Sequence, residues 1–222
     1  MYKAIIFDMD GILINSEPAW ESAKFEAMKK WNIALKQQDA DATIGIRVED
    51  IARLWQVKFQ LPSCETQRIE QEITNLAINE INTSGQPLDG VLDVLNQLKQ
   101  SPLSIALASS SSLLIIDAVL DKLRIRNFFK VINSANQLEY GKPHPQVYLD
   151  TAHKLDLLSS QCIAIEDSVN GVIAAKAAQM TTIAIPPASL HDDPRYSIAD
   201  GLLTSLLEVP EWLMQQDSDF YF

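Results

Sequence analysis

The chain has 222 residues, of which 47% are hydrophobic, enough for one large domain or for a core with a smaller insert. Lys and Arg number 18 against 29 Asp and Glu, so the formal net charge is −11. Nucleic acid and anionic membrane surfaces bind clustered basic residues, and this composition therefore argues against both as main partners.

The cysteines and the lengths of the apolar runs indicate in which cellular compartment the protein is expected. Cys64 and Cys162 have neither the close spacing of a metal knuckle nor the numbers of a disulfide framework. The first residues lack the pattern of a signal peptide, and no run approaches the ~18 apolar residues of a membrane span. We therefore expect a cytoplasmic protein with free thiols. We also expect it to be a monomer.

Short apolar runs alternate with helical patterns along most of the chain. The runs typical of buried strands lie at residues 3–7, 103–108, 131–133, 162–165 and 182–185. The helical patterns lie at residues 91–100, 113–123, 147–155 and 169–178. Apolar strands joined by helices indicate a mostly parallel sheet that is buried on both faces. The predicted fold class is therefore α/β, with a Rossmann-like core.

One stretch after the first strand breaks this alternation. Residues 15–83 carry only helical patterns, rich in Ala, Glu, Lys and Gln, with joints at residues 44–50 and 61–64. We expect this stretch to form an all-helical cap domain inserted into the α/β core. The core would then comprise residues 1–14 and 84–222.

Acidic residues end two of the predicted strands. Asp8 and Asp10 follow the first strand, and their i, i+2 spacing can direct both side chains into one crevice. A turn at Asp10-Gly11 accounts for the dipeptide, but not for Asp8 at the end of an apolar run. Glu166 and Asp167 end the run at residues 162–165. Carboxylates this close repel one another unless a cation lies between them, and an oxygen-rich site is what Mg²⁺ prefers.

Two further polar clusters are suited to an anion. The run ALASSS carries Ser109 and Ser110 where a strand meets a helix N-terminus, and hydroxyl and backbone N–H groups at such a junction bind anions. Serine is also an ordinary helix N-cap, so this run is weak when taken alone. Lys142 lies in GKPHP, where two prolines stiffen the loop and favour a lysine directed at a ligand over a solvated one.

Together these residues resemble the haloacid dehalogenase superfamily of phosphohydrolases over almost the whole chain. D-x-D-G, a strand-end serine, Lys-Pro and Glu-Asp follow one another in that order at suitable spacing. The finer likeness is to the sugar-phosphatase branch with a helical cap, in the stretches FDMDGILINSEPAW, IGIR, KPHPQVYLDTAHKL, AIEDSVNGVIAAKAA and DDPR. Asn15 and Asp89 depart from the family pattern, which usually has Asp and often Pro at these positions, and we assign neither to the chemistry.

The resemblance implies a mechanism and a set of site residues. Asp8 would attack phosphorus to form an aspartyl-phosphate, and Asp10 would serve as general acid and then base. Mg²⁺ would be held by Asp8, the backbone carbonyl of Asp10 and Asp167, with Glu166 completing or supporting the metal shell. The phosphoryl oxygens would be held by Ser109, Ser110 and Lys142.

The implied substrate is a small sugar phosphate, such as a hexose, deoxyhexose or hexitol phosphate. The core clusters bind only phosphate and metal, so substrate choice is expected to depend on the cap. The candidate cap contacts are Glu17 and Trp20, which begin the insert, and Arg47, which lies in the glycine-containing joint IGIR. An arginine offers a fork of donors suited to hydroxyls or to a second anionic group.

Four alternative functions share this fold. A dehalogenase would not need Asp10, because a halide leaves without a proton. A β-phosphoglucomutase-like phosphotransferase, the main alternative, is expected to carry a histidine in the stretch where Trp20 lies. Phosphonate hydrolysis would need a cap lysine for a Schiff base, but Lys24, Lys29 and Lys30 are interpreted as a solvated helix face. A non-catalytic binding protein is disfavoured because all four polar clusters are intact.

Overall fold

A six-stranded parallel sheet forms the core of the computed structural model, which describes residues 2–216. The strands are Ala4–Phe7 (β1), Ser104–Ser109 (β2), Val131–Ser134 (β3), Cys162–Glu166 (β4), Thr181–Ala184 (β5) and Gly201–Leu202 (β6). Their order is β3-β2-β1-β4-β5-β6, and every neighbouring pair is parallel. The predicted α/β class and Rossmann-like parallel sheet are confirmed.

Helices connect the strands and form the inserted segment. The α-helices are Glu17–Lys29 (α1), Gln37–Asp41 (α2), Val48–Lys58 (α3), Thr66–Ser84 (α4), Val91–Gln100 (α5), Leu113–Leu123 (α6), Gln146–Lys154 (α7), Val169–Ala177 (α8) and Val209–Gln216 (α9). Short 3₁₀ helices lie at Ser63–Glu65, Arg126–Phe128, Ala135–Gln137, Ser159–Gln161, Ala188–Leu190, Pro194–Ile198 and Leu206–Glu208. Within residues 2–216, no helix has both the length and the apolar character needed to cross a bilayer.

Five strands begin and end within one residue of their predicted positions. The sequence pattern missed β6, because two residues are too short to show any periodicity. Alternate residues of the central strand β1 belong to different hydrophobic clusters: Ile5 and Phe7 pack on the side of α5, α6 and α9, and Ala4 and Ile6 pack on the side of α7 and α8. Both faces of the sheet are therefore covered, and ligands can reach it only at its edges.

The helices that follow β1 share a hydrophobic cluster of their own. It includes Ala27 of α1, Ile51 and Trp55 of α3 and Ile73 of α4. A separate hydrophobic core is what an independent domain needs, and it supports the predicted insert at residues 15–83. The division into core and cap stays a prediction.

Candidate active site

The polar clusters meet at the carboxyl ends of the central strands, which we call the sheet edge, at the point where the strand order reverses. β2 and β3 lie on one side of β1, and β4 to β6 lie on the other. Asp8 directly follows β1, with its backbone N–H donating to the carbonyl of Ile165 at 2.9 Å, and Glu166 ends the neighbouring β4. This reversal is where open α/β sheets bind ligands at the carboxyl ends of their strands.

Lys142 joins the ends of the three central strands. Its ammonium donates to Asp8 Oδ1 at 2.8 Å, to Glu166 Oε1 at 2.5 Å and to the Ala108 carbonyl of β2 at 3.1 Å. Its three donors are thus satisfied, and its side chain is 1% exposed. Burial lowers the pKa of Lys142, but the attraction of Asp8 and Glu166 outweighs burial and holds this pKa above its ordinary value. The lysine therefore stays charged beside Asp8.

Crowding of the carboxylates shifts their protonation. Burial, opposed by Lys142 and aided by the charges of Glu166 and Asp10, raises the pKa of Asp8 to about 7. Burial, with the charge of Asp8, also raises the pKa of Asp167 well above its ordinary value. A divalent cation among these groups would favour their ionised forms and relieve the repulsion.

Glu166 is fully buried and accepts hydrogen bonds on both oxygens. Its Oε1 accepts from Tyr148 Oη at 2.5 Å as well as from Lys142, and its Oε2 accepts from the Ser168 amide at 3.4 Å and hydroxyl at 3.3 Å. A Cβ at Gly171 would come within 2.0 Å of this carboxylate, so the start of α8 can approach it only with a glycine. These contacts make Glu166 a support for Lys142.

Three carboxylates form a group that fits a magnesium ion. Oxygens of Asp8, Glu166 and Asp167 lie within 4.8 Å of one another. Gly11 has φ +72°, and a Cβ there would lie 2.0 Å from Asp167 Oδ2, so the turn after β1 leaves room for this carboxylate. The hydroxyl of Tyr196 donates to the Asp167 carbonyl at 2.7 Å and holds the loop. A cluster of carboxylate oxygens is the ligand set that Mg²⁺ prefers.

Asp10 lies outside that carboxylate group and links the core to the first cap helix. Its Oδ1 accepts from Ser16 Oγ at 2.5 Å and from Trp20 Nε1 at 2.8 Å, and its Oδ2 accepts from Ser111 Oγ at 2.8 Å. The spacing of the two aspartates therefore gives them different partners: Asp8 faces Lys142, and Asp10 faces hydroxyl and indole donors. The metal contact predicted for Asp10 is through its backbone carbonyl, which these side-chain bonds leave free of the carboxylate's partners.

A cavity of about 1030 Å³ opens between this edge and the cap. Its floor includes Asp8, Asp10, Lys142 and Asp167. Residues of α1, α2 and the following loop form the opposite wall, among them Glu17 and Trp20. The cavity is large enough for a phosphorylated sugar, since small-molecule sites typically measure about 300–1,000 Å³.

Residues 5–185 match the family model described as haloacid dehalogenase-like hydrolase. The chain belongs to this family. The predicted family is thereby confirmed, and with it the prediction of an enzyme. Among curated relatives, hexitol phosphatase B of Escherichia coli (strain K12) is 38% identical over 207 residues, 93% of each chain.

Solved structures share the whole fold of this hydrolase. CbbY from Rhodobacter sphaeroides in complex with phosphate has a TM-score of 0.82 and 25% identity, covering 94% of this chain and 96% of its own. A putative β-phosphoglucomutase from Bacteroides vulgatus has a TM-score of 0.84 and 26% identity, covering 98% of this chain and 90% of its own. The sheet and the inserted helices are therefore those of known haloacid dehalogenase-like proteins.

The serines at the end of β2 have different environments: one is buried, and two line the cavity. Ser109 is fully buried, and its Oγ accepts from the Ser111 amide at 3.0 Å; it is not among the described residues that line the cavity. Ser110 does line the cavity and donates to the Gly45 carbonyl of the cap at 3.1 Å. Ser111 lines it too, although the sequence pattern does not distinguish this serine from the others of the ALASSS run. Of the two predicted serines, the structure brings Ser110 to the cavity.

Arg47 points away from the cavity. Its guanidinium donates to the carbonyls of Ala135 at 3.1 Å and Leu138 at 2.9 Å, both in the core, and pairs with Asp50 at 2.7 Å. A Cβ at Gly141 would collide with the Arg47 side chain. Glu17 and Trp20, which are also predicted to contact the sugar, do lie on the cavity wall. Arg47 instead lies between the cap and the core.

The interpretation of Lys24 as a solvated residue was wrong. Lys29 and Lys30 are exposed and pair with Glu26 and Glu72, as that interpretation requires. Lys24 is only 6% exposed and lines the cavity. It lies on the buried side of α1, because Ala27 and Met28, three and four residues further along the same helix face, pack into the hydrophobic cluster of the cap.

Proposed function

We propose that this hydrolase is a magnesium-dependent phosphatase that acts on small sugar phosphates through an aspartyl-phosphate on Asp8. The observation that carries the proposal is the position of Lys142 between Asp8 and Glu166, beside Asp167 and on the floor of the cavity. The likeness to hexitol phosphatase B supports a sugar phosphate as the substrate.

Asp8 is the nucleophile in this proposal. Lys142 occupies its Oδ1, which leaves Oδ2 to attack phosphorus while the ester bond to the sugar oxygen breaks. Lys142 also places a positive charge where the phosphoryl oxygens gather negative charge. Mg²⁺, held by Asp8, Asp167 and the Asp10 carbonyl, would offset the repulsion between the carboxylate and the phosphate dianion. Glu166 keeps Lys142 in place.

Asp10 is the proton donor and acceptor. It gives a proton to the departing sugar alkoxide, and it then takes a proton from the water that attacks the aspartyl-phosphate. Hydrolysis returns Asp8 and releases inorganic phosphate. Asp10 accepts hydrogen bonds from Ser16 and Trp20 on Oδ1 and from Ser111 on Oδ2, and because a carboxyl group has about four lone-pair sites, Oδ2 keeps a site that can carry the proton.

A β-phosphoglucomutase-like phosphotransferase is the second candidate, because a putative protein of that kind shares the fold at a TM-score of 0.84. Such an enzyme would pass the phosphoryl group to another sugar hydroxyl instead of water. Trp20, which donates to Asp10 in the stretch where a histidine is expected for that branch, favours hydrolysis. The cytoplasmic location and the monomeric state remain predictions.

The proposal is tested by phosphate release from sorbitol 6-phosphate by the purified chain, with and without Mg²⁺. We expect free phosphate to appear only with the metal and to stop when EDTA is added. Acid quenching during turnover should trap an acid-stable, hydroxylamine-sensitive phosphate on Asp8. A phosphatase converts the sorbitol 6-phosphate signal in ³¹P NMR into that of inorganic phosphate. When a sugar 1-phosphate is supplied, isomerised sugar phosphate without free phosphate would favour the mutase. No turnover of any phosphate ester would contradict both.

A further inference from the structure

The cavity wall opposite the phosphate site carries several polar side chains. Glu17, Glu21 and Lys24 come from α1, and Gln37 and Asp41 come from α2. We call these five residues the cap wall. They face the part of the cavity that the non-reacting end of a substrate would occupy, because the phosphate-handling residues lie on the floor.

Lys24 is the buried member of the cap wall and lacks strong acceptors. Its ammonium has three donors, and among the described residues its single hydrogen-bond acceptor is the Ala40 carbonyl, at the long distance of 3.5 Å. Burying a charged donor without partners is unfavourable, so a ligand that supplies acceptors here would gain binding free energy. An under-bonded ammonium that lines a cavity therefore points to a ligand.

The carboxylates of the cap wall act on this ammonium through their charge without pairing with it. Burial lowers the pKa of Lys24 to about 8, and the charges of Asp10, Glu17, Asp41 and Glu21 oppose that shift. The carboxylates are therefore near enough to act on Lys24, although none forms an ion pair with it within the described part of the chain. Three carboxylates against one ammonium leave the cap wall negative overall.

The other cations on the cavity already have partners. Lys142 is held by Asp8 and Glu166, and Arg195 is paired with Asp193 at 2.5 Å. Arg47, which could have bound a second anionic group, directs its donors at core carbonyls instead. A second phosphate at the far end of a sugar would thus meet a negative wall with one ammonium.

We propose that the cap wall recognises the hydroxyl groups of an uncharged sugar chain, with Lys24 as a specificity-determining residue. Lys24 donates to hydroxyl oxygens, and the carboxylates accept from hydroxyl hydrogens. The enzyme accordingly takes sugar monophosphates and rejects sugars that carry a second phosphate. This inference rests on the proposed phosphatase function and adds the class of sugar phosphate that the site accepts.

The first test replaces Lys24 with Met and compares sorbitol 6-phosphate with p-nitrophenyl phosphate, which has no hydroxyls. We expect kcat/KM for sorbitol 6-phosphate to fall about tenfold or more, mainly through KM, because hydrogen bonds to a charged donor are lost. The p-nitrophenyl phosphate value should stay within about twofold. Lys24→Gln, which keeps a neutral donor, should lose less than Lys24→Met. Lys29→Met, on the exposed side of α1, is the matched control and should change neither substrate.

The second test compares two substrates that differ only by one phosphate. The wild-type enzyme should prefer fructose 6-phosphate over fructose 1,6-bisphosphate by about 100-fold in kcat/KM, because the second phosphate is repelled by the negative charge of the cap wall. Glu21→Gln combined with Asp41→Asn removes two negative charges and should narrow this preference about tenfold.

The outcomes separate the inference from the proposed function. A wild-type enzyme that hydrolyses no phosphate monoester contradicts the proposed function. If p-nitrophenyl phosphate is hydrolysed, the inference is wrong when the Lys24 variants change both substrates alike or neither, or when the bisphosphate is as good a substrate as the monophosphate. Thermal unfolding checks each variant, and Lys24→Gln carries the comparison if Lys24→Met does not fold.

Discussion

Two buried lysines face the same cavity and satisfy their charges in opposite ways. Lys142, at the sheet edge, has three protein acceptors, two of them carboxylates, at 2.5–3.1 Å. Lys24, in the cap, has one carbonyl at 3.5 Å. The hydrogen-bond donors of Lys142 are thus all satisfied before any substrate binds, as is expected of a preorganised catalytic group. Lys24, by contrast, has donors left for a ligand. Changes at the edge should affect every substrate, and changes in the cap should affect some more than others.

Asp8→Asn should have the largest effect, because it removes the proposed nucleophile and keeps the oxygen that Lys142 binds. We expect kcat to fall by about 10³-fold or more for sugar and aryl phosphates alike, with the thermal midpoint nearly unchanged. Steady-state kinetics and thermal unfolding measure the two quantities. Asp117→Asn, an exposed residue of α6 that pairs with Arg126, is the control. Retention of a substantial fraction of the wild-type rate would contradict the assignment.

Asp10→Asn should depend on the leaving group. Alkyl phosphates, whose alkoxides need a proton, are expected to lose about 10²–10³-fold in kcat. Aryl phosphates have better leaving groups, so they should show a burst of aryl alcohol followed by slow hydrolysis of the aspartyl-phosphate. Rapid-quench kinetics with sorbitol 6-phosphate and p-nitrophenyl phosphate distinguish the two steps. An equal loss in both steps for every leaving group would rule out the acid and base role.

Arg47→Ala tests the junction between the two regions. The sequence pattern predicts a contact with the sugar, and therefore a selective loss for hexose phosphates. The observed bonds to the carbonyls of Ala135 and Leu138 lead us to expect a similar loss, about tenfold in kcat/KM, for sugar and aryl phosphates, because the cap loses its hold on the core. Arg53→Ala, an exposed residue of helix α3, which begins directly after Arg47, serves as the control. A loss of kcat/KM confined to sugar phosphates would instead support the contact between Arg47 and the sugar that the sequence predicts.

Tyr148→Phe should have the smallest effect at the sheet edge. It removes one donor to Glu166 while Lys142 remains bonded to that carboxylate. The free energy of unfolding should fall by about 1–3 kcal/mol, and kcat should fall a few-fold to the same extent for every substrate. Urea unfolding and steady-state kinetics measure both, with the exposed Tyr140→Phe for comparison. A change that differs between sugar and aryl phosphates would mean that Tyr148 also acts on the substrate side.

Most of the core could be predicted because its signals are local. A strand buried on both faces appears as an apolar run, and five strands lie within one residue of the predicted positions. Asp8, Glu166 and Asp167 could be grouped because parallel strands end at a common edge. Ser109 and Ser110 are a different case, since the last residue of β2 turns inward and the next one faces the cavity. A run of identical serines does not indicate at which residue the side chains change from buried to cavity-facing.

The sequence by itself determined the α/β class, the position of the helical insert between β1 and β2, and the strand ends that carry the aspartates, because these follow from short apolar runs and from the 3.6-residue period of helices. Only the tertiary structure decided the directions of Lys24 and Arg47. Lys24 lies in a helical pattern and Arg47 in the joint before another, and the environment of each depends on how α1 and α3 are oriented against the core. The acceptors of Arg47 lie 88 and 91 residues further along the chain, a distance at which no local pattern reports contact.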